Sequence, residues 1–180
     1  MNGEDRTEGT LLQRLWAVWR MKYITSIGQE TQSCVFCDIA ILPDGAENLI
    51  VHRGRTCYIV LNLYPYNNGH AMVIPHRHVA SLAEMSDEEK LEMMQLADVL
   101  QRALVRTLDA EGFNCGMNLG RVAGAGIPGH VHLHVVPRWL GDTNFMPVTA
   151  ETKVLPEKLE DTYHKVRLGI REVLEELASR

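Results

Sequence analysis

His130-Val131-His132-Leu133-His134-Val135-Val136 sets three histidines in alternation with apolar residues. Alternation with a period of two is the pattern of an extended strand that turns one face to a core. On such a strand the three imidazoles share a face, about 6.6 Å apart at a rise of about 3.3 Å per residue. Val131, Leu133 and Val135 then point the opposite way, into the interior. Gly129 before the segment and Pro137 after it mark its ends. A row of imidazoles is costly to bury against hydrocarbon, so this face reads as a metal-binding or catalytic row.

Working outward, Gly120 to Gly126 form a glycine-rich loop whose backbone N–H groups are free to converge on an anion. Phe113 to Leu119 reads as a strand ahead of that loop. Further upstream, Ser86 is an N-cap and Glu89, three residues on, completes a capping box. The helix that follows runs to about Ala110, with Leu91, Met94, Leu96, Ala97, Leu100, Leu104 and Leu108 on its apolar face and methionines as core filler. Before it lie strands at Leu49–His52 and Cys57–Leu61, paired as a hairpin around Arg53-Gly54-Arg55. Asn62 to Gly69 is a loop, and His70 to Pro75 another strand. Downstream, Trp139 to Val148 is irregular and Pro156 to Ser179 is a charged amphipathic helix. Met1 to Thr10 is polar and loose, and Leu11 to Tyr23 reads as a short helix docked by Trp16 and Trp19. Strands and helices are segregated, hairpins are antiparallel and nothing repeats, so the class is α+β. One domain spans 1–180, with its core at about 34–140, an N-terminal helix and a C-terminal helical extension.

The 180 residues are 46% hydrophobic and 23% charged, ordinary for a globular protein with a substantial core. A net charge of −5 and a pI near 5.9 argue against nucleic acid as a partner but leave small anionic ligands open. No apolar run approaches the roughly 20 residues needed to cross a bilayer. No membrane partner is expected, and the N-terminus lacks a signal-peptide pattern. Four cysteines suit a reducing cytoplasm better than a disulfide framework.

An imidazole near its reference pKa of about 6.5 serves as nucleophile, acid, base or metal ligand. Alternate histidines let the middle one attack while its neighbours orient or protonate. With a phosphate cradle alongside, the target is phosphorus, where catalysis is mostly positioning and charge neutralisation. Cys34 and Cys37 have zinc-ligand spacing, but a tetrahedral site needs two further ligands. His78, just past a strand end, and one triad histidine would close it; otherwise the two cysteines are half-buried thiols. Cys57 and Cys115 sit in strand patterns and read as core.

The segment from His130 to Val136 resembles the motif of the histidine-triad (HIT) superfamily of nucleotidyl transferases and hydrolases. Cys34-x-x-Cys37, Asn62 ahead of Gly69-His70, Val73-Ile74-Pro75-x-x-His78 and Asn118-Leu119-Gly120 extend the resemblance from about Cys34 to Arg138. The tail Pro137-Arg138-Trp139-x-Gly141-Asp142-Thr143-Asn144-Phe145 is more similar to the dinucleoside-polyphosphate branch, fragile-histidine-triad-like proteins and bacterial diadenosine tetraphosphate phosphorylases, than to the short phosphoramidase branch.

The resemblance implies an antiparallel sheet with one long central helix and terminal helices. It also implies an enzyme cleaving dinucleoside polyphosphates such as diadenosine tetra- or triphosphate in two steps. His132 attacks the α-phosphorus and forms a nucleotidyl-histidine, which water or phosphate then resolves. The carbonyl of His130 holds the other nitrogen of His132, and His134 and His70 surround the phosphate. Asn62 binds ribose, and Asn118 the phosphate or a bridging oxygen. Cys34, Cys37, His78 and His130 carry a structural zinc, and no organic cofactor is implied. Relatives are commonly symmetric dimers, so a homodimer is expected. Many relatives carry a Gln-Ser/Thr pair before the triad; Gly126-Ile127-Pro128-Gly129 lacks it, so backbone groups around Gly126 and Gly129 take over phosphate contacts. Trp139 stacks on adenine or caps the core, Arg138 meets phosphate or pairs on the surface, and Phe36, Tyr64 and Tyr66 lie near the base pocket by analogy. Phosphoramidate hydrolysis, or a zinc-stabilised nucleotide-binding module with little turnover, are the alternatives.

Overall fold

The computed structural model describes residues 33–143 and 155–179. The segment expected as an N-terminal helix, with Trp16 and Trp19, lies outside the described residues, as do Asn144 and Phe145. A short helix α1 (Val35–Ala40) leads into β1 (Ile50–Arg53), β2 (Cys57–Leu61) and β3 (Ala71–Pro75). The long helix α2 (Asp87–Leu108) follows, then β4 (Gly112–Gly116), a 3₁₀ turn at Arg121–Ala123, β5 (Leu133–Arg138) and helix α3 (Leu159–Ala178). The five strands form one sheet in the order β1-β2-β3-β5-β4, every neighbouring pair antiparallel. The α+β class is as expected.

The β1–β2 hairpin turns on Gly54 and is held from outside the strands. The carboxylate of Glu92, on α2, accepts from the backbone N–H groups of Arg55 (2.7 Å), Thr56 and Cys57 (3.0 Å). Three orphan donors of a tight turn are thus satisfied by one charged acceptor.

Helix α2 begins with both arms of the capping box in place: Glu89 N–H donates to Ser86 Oγ, and Ser86 N–H to the Glu89 carboxylate. It ends at Leu108, because Asp109 takes a left-handed conformation (φ 52°) as C-cap. Its buried face is Met93, Leu96, Ala97, Val99, Leu100, Ala103 and Leu104. Leu91 and Met94, expected in the core, are each 60% exposed. The buried stripe lies further round the helix at its N-terminal end than the expected one, and Met93 carries the contact there. Helix α3 packs on α2 and reaches β1. The α2–α3 approach is closest at Gly169, where a Cβ would come within 2.6 Å of Thr107 Cγ2 and 3.2 Å of the Ala103 carbonyl.

The histidine segment departs from a continuous strand. Strand β5 starts at Leu133, so His130 to His132 precede it. The β3–β5 register pairs Ala71 with Val135 and Val73 with Leu133. The next pair outward would set Val131 against Pro75, which has no N–H to donate. The Pro75 carbonyl instead accepts from the ring of His130 (2.9 Å), and Val131 N–H donates to Val79 (2.7 Å). Val131, Leu133 and Val135 are all buried as expected, but His130 and His132 are buried as well, so the imidazole side of the segment is covered too. Strand β4 also stops earlier than expected, at Gly116 rather than Leu119, and Cys115 is exposed on this edge strand instead of lying in the core.

Candidate active site and metal centre

Helix α1 is anchored from below. Tyr58 on β2 is fully buried and its hydroxyl donates to the Phe36 carbonyl at 2.8 Å. That bond holds a helical turn whose N-cap is Cys34 and whose third residue is Cys37. The His130 Nδ1 lies 3.3 Å from Cys34 Sγ and 3.6 Å from Cys37 Sγ, and His78 Nδ1 lies 3.4 Å from Cys37 Sγ. All four ligand atoms fall within 4.8 Å of one another. Zinc–sulfur bonds of about 2.3 Å and zinc–nitrogen bonds of about 2.0–2.1 Å at tetrahedral angles set sulfur and nitrogen about 3.6 Å apart. The observed spacings match that edge. The ring of His130 is also turned correctly: its Nε2–H is committed to the Pro75 carbonyl, leaving the Nδ1 lone pair toward the sulfurs. Burial, with Cys34 beside it, pushes the Cys37 thiol up to about 11. The four residues fit a zinc ion.

From this cluster the rings continue as a row. Phe36, within the Cys-x-x-Cys turn, meets His130 and His132 edge-on, with centroids 5.6 and 5.1 Å away. The rings of His132 and His134 are 4.9 Å apart, and those of His134 and His70 5.1 Å. Tyr66 stacks on His70 at 4.7 Å.

The hydrogen bonds assign a tautomer to each ring. His132 Nδ1–H donates to the His130 carbonyl at 2.8 Å, which leaves Nε2 with its lone pair. Burial pushes the pKa of this ring below 6.5, the carbonyl bond opposing the shift only in part, so the ring is neutral at pH 7. His70 Nδ1 accepts from the backbone N–H of Tyr66 at 3.0 Å. Its proton is therefore on Nε2, which donates to His134 Nδ1 at 3.0 Å. His134 in turn carries its proton on Nε2. Burial, and then the neighbouring His134 and His132, push His70 down to about 3, so it stays neutral. His70 is 1% exposed, and its Nε2 meets His134.

Residues 45–139 match the family model of the HIT domain. The chain belongs to the HIT family. It is 42% identical over 158 residues to the AP-4-A phosphorylase of Mycobacterium tuberculosis (strain ATCC 25618 / H37Rv), a match covering 84% of this chain and 80% of the relative. Among solved structures it is similar to a Zn-bound histidine triad family protein from Mycobacterium smegmatis, with TM-score 0.65, 26% identity and coverage of 81% of this chain and 99% of that one. A histidine triad nucleotide-binding protein from Sulfolobus tokodaii strain7 gives TM-score 0.60 and 27% identity over 80% and 93% of the two chains. On this relationship the chain is an enzyme of the HIT family, as the triad led us to expect.

The structure of this HIT enzyme places the other expected residues unevenly. Asn62 stands at the end of β2, its Oδ1 accepting from Tyr64 N–H at 2.9 Å. Asn118 is half-buried and lines the same cavity as His134. Gly129 lies under His78, whose Nε2 is 3.4 Å from where a Cβ would stand, and Gly126 is half-buried in the loop before it. Gly120 and Gly124 take φ of 82° and 86° around the 3₁₀ turn. Trp139 donates its indole N–H to the Leu108 carbonyl at 3.0 Å, at the end of α2. Arg138 is held by both oxygens of Asp142 (2.5 and 2.7 Å) and donates to Asn114 at 2.8 Å. Asp142 also accepts from Asn67 at 2.8 Å, tying the turn after β5 to the loop that carries Tyr66. Tyr64 is exposed. Two contributors escaped the sequence reading: Tyr58 beneath α1, and the main-chain N–H of Tyr66. A buried tyrosine in a strand of otherwise apolar residues was the available signal for the first; a backbone donor leaves none.

No helix among the described residues is long and apolar enough to cross a membrane.

Proposed function

We propose that this enzyme cleaves dinucleoside polyphosphates, such as diadenosine tetra- or triphosphate, at the α-phosphate through a nucleotidyl-histidine on His132. The observation that carries the reading is the 2.8 Å bond from His132 Nδ1–H to the His130 carbonyl. It aims a neutral Nε2 lone pair out of the row, as a nucleophile for phosphorus requires.

In the first step Nε2 of His132 bonds to the α-phosphorus and the bond from phosphorus to the bridging oxygen breaks. The departing polyphosphate takes its charge past His134, whose Nε2–H is positioned to donate to the leaving oxygen. His70 keeps that proton on the correct nitrogen of His134. In the second step an oxygen of water or phosphate attacks the same phosphorus, a water losing its proton to solvent, and the phosphorus–nitrogen bond breaks with its electron pair returning to Nε2, releasing AMP or ADP and restoring neutral His132. Asn62 binds ribose and Asn118 the phosphate chain, with backbone groups near Gly126 and Gly129 replacing the missing Gln-Ser/Thr pair. Cys34, Cys37, His78 and His130 would hold zinc in a closed, structural site whose positive charge lets both thiols serve as thiolates. The AP-4-A phosphorylase relative favours phosphate as the acceptor, and we carry over the homodimer of the superfamily as part of the same reading.

Product analysis with diadenosine tetraphosphate tests it. ADP and ATP formed only when phosphate is added identify a phosphorylase; AMP and ATP without phosphate identify a hydrolase. His132→Ala is expected to lose about a thousandfold or more in turnover while folding normally. Cleavage that survives in that variant refutes the covalent mechanism.

A further inference from the structure

His70 and His134 form a two-ring chain that can carry its protons in two arrangements. In one, His70 Nε2–H donates to His134 Nδ1 across 3.0 Å, and His134 carries its own proton on Nε2. In the other, His134 Nδ1–H donates to His70 Nε2, the second proton sits on His70 Nδ1, and His134 Nε2 is left with a lone pair. The proton count is the same; what differs is whether His134 can donate outward. The Tyr66 N–H, 3.0 Å from His70 Nδ1, excludes the second arrangement, because a donor would face a donor. Whatever keeps Tyr66 in place therefore governs the proton of His134.

The residues that follow Tyr66 keep it there. The His70 N–H donates to the Asn67 carbonyl at 3.1 Å, closing Asn67 to His70 as a turn. Gly69 seats that turn on the end of α2, where a Cβ would stand 2.7 Å from Leu108 Cδ1 and 2.9 Å from Leu104 Cδ2. Asn67 fastens one side, donating to the Pro137 carbonyl at 3.0 Å. Asn68 fastens the other, and its partners belong to the C-terminal helix. Its Nδ2 donates to Glu157 Oε1 at 3.0 Å, and its Oδ1 lies 3.0 Å from the hydroxyl of Thr162 in the first turn of α3. That hydroxyl is also 2.7 Å from Glu157 Oε1, and Lys165 of α3 donates to the other carboxylate oxygen. Asn68 and Thr162 are buried, where a hydrogen bond left unmade is costly. None of Asn68, Thr162 and Glu157 lines the cavity beside His134, so their link to the rings runs through the backbone of the loop.

We infer that Asn68 is a positioning residue: with Thr162 and Glu157 it lets the C-terminal helix hold the Tyr66 N–H against His70, and so keeps the proton of His134 on Nε2. The kinetic consequence rests on the reading that His134 donates to the leaving oxygen. The placement of the protons does not.

The test uses the full chain, with zinc added and its histidines labelled with nitrogen-15, whose spectrum separates protonated from bare ring nitrogens. In the parent, His70 and His134 should both show a protonated Nε2. Thr162→Val removes the hydroxyl at nearly constant volume; Asn68→Ala removes the amide and serves if Thr162→Val fails to fold. Each should bring the reversed tautomers of both rings into view. Each should also lower kcat with diadenosine tetraphosphate about ten- to a hundredfold, with KM within about twofold of the parent. Thr162→Ser, which keeps the hydroxyl, should match the parent in both readouts. Folded variants that retain the parent's tautomers overturn the inference, whatever their activity. Reversed tautomers with kcat unchanged uphold the positioning and overturn instead the donor role of His134.

Discussion

Tyr58→Phe removes one oxygen atom from the floor beneath the turn that carries Cys34 and Cys37. The hydroxyl is fully buried and makes one bond, to the Phe36 carbonyl at 2.8 Å, linking β2 to the turn that carries both cysteines. Among the described residues no buried side-chain nitrogen or oxygen lacks a partner. A buried hydrogen bond contributes about 0.5–1.5 kcal/mol net, and stripping a partner from a buried carbonyl raises the cost to about 1–3 kcal/mol. The gap left by one oxygen is too small to admit water as a substitute. The ring keeps its stacking on His76 at 5.5 Å, so the change isolates the hydroxyl. Where the cost registers depends on when α1 docks. If α1 settles on the sheet only as zinc binds, the full amount falls on metal affinity, about 5- to 150-fold. If α1 is docked without metal, the same energy appears as lowered stability of the apoprotein. Competition with a chromophoric chelator gives the first quantity and denaturant unfolding of the apoprotein the second. A variant whose zinc affinity stays within about twofold, and whose unfolding free energy moves by less than about 0.3 kcal/mol, would refute the claim that this bond holds the turn.

Three further outcomes follow from contacts elsewhere. Arg77 and the Ser86 cap hold the Glu89 carboxyl down to about 2 from its ordinary 4.5. The stability this gives is complete above about pH 4.5 and disappears as pH falls toward 2, so the stability gap between the parent and Glu89→Gln should close over that interval in acid titrations followed by circular dichroism. Gly169→Ala gains at most about 1 kcal/mol of helix propensity but forces a Cβ to 2.6 Å from Thr107 Cγ2, an overpacking cost of about 1–3 kcal/mol. Thr107→Ser, which deletes that methyl and keeps the hydroxyl bond to Ala103, should relieve it, and a double-mutant cycle with no coupling would sink the account. Glu92→Gln should destabilise the β1–β2 turn by about 1–3 kcal/mol, because an amide oxygen replaces the charged acceptor of three backbone donors; an unchanged thermal midpoint would contradict it.

The parts legible in the sequence were those in which a local pattern and a tertiary demand agree. The capping box at Ser86 and Glu89 needs only neighbours within one helical turn, so it appears where the residues say. The alternation of Val131, Leu133 and Val135 identified three buried positions, even though His130 and His132 are buried too and the first three residues are not paired as strand. That exception was hidden because it depends on Pro75, distant in sequence, meeting His130 in space. The cysteine pair is grouped with His78 and His130 by resemblance, and the structure sets the ligand atoms of the same four within 4.8 Å of one another. Cys115 is exposed because β4 is an edge strand, with a sheet neighbour on one side only among the described residues. Met94 against Met93 is a matter of helical phase, which a methionine-rich stretch does not fix by itself. The roles of Glu92 and Tyr58 come from contacts with segments remote in the chain, and no spacing rule reports those.

Two main-chain carbonyls, those of Pro75 and His130, decide which nitrogen of each neighbouring ring carries its proton. A carbonyl is common to all amino acids, so substitution at either position leaves the acceptor itself in the chain. The nitrogen of His132 left with its lone pair is therefore an inheritance of the fold's path rather than of any one codon. Descendants of this chain can drift in the surrounding walls and still keep the same polarity in the middle ring of the triad.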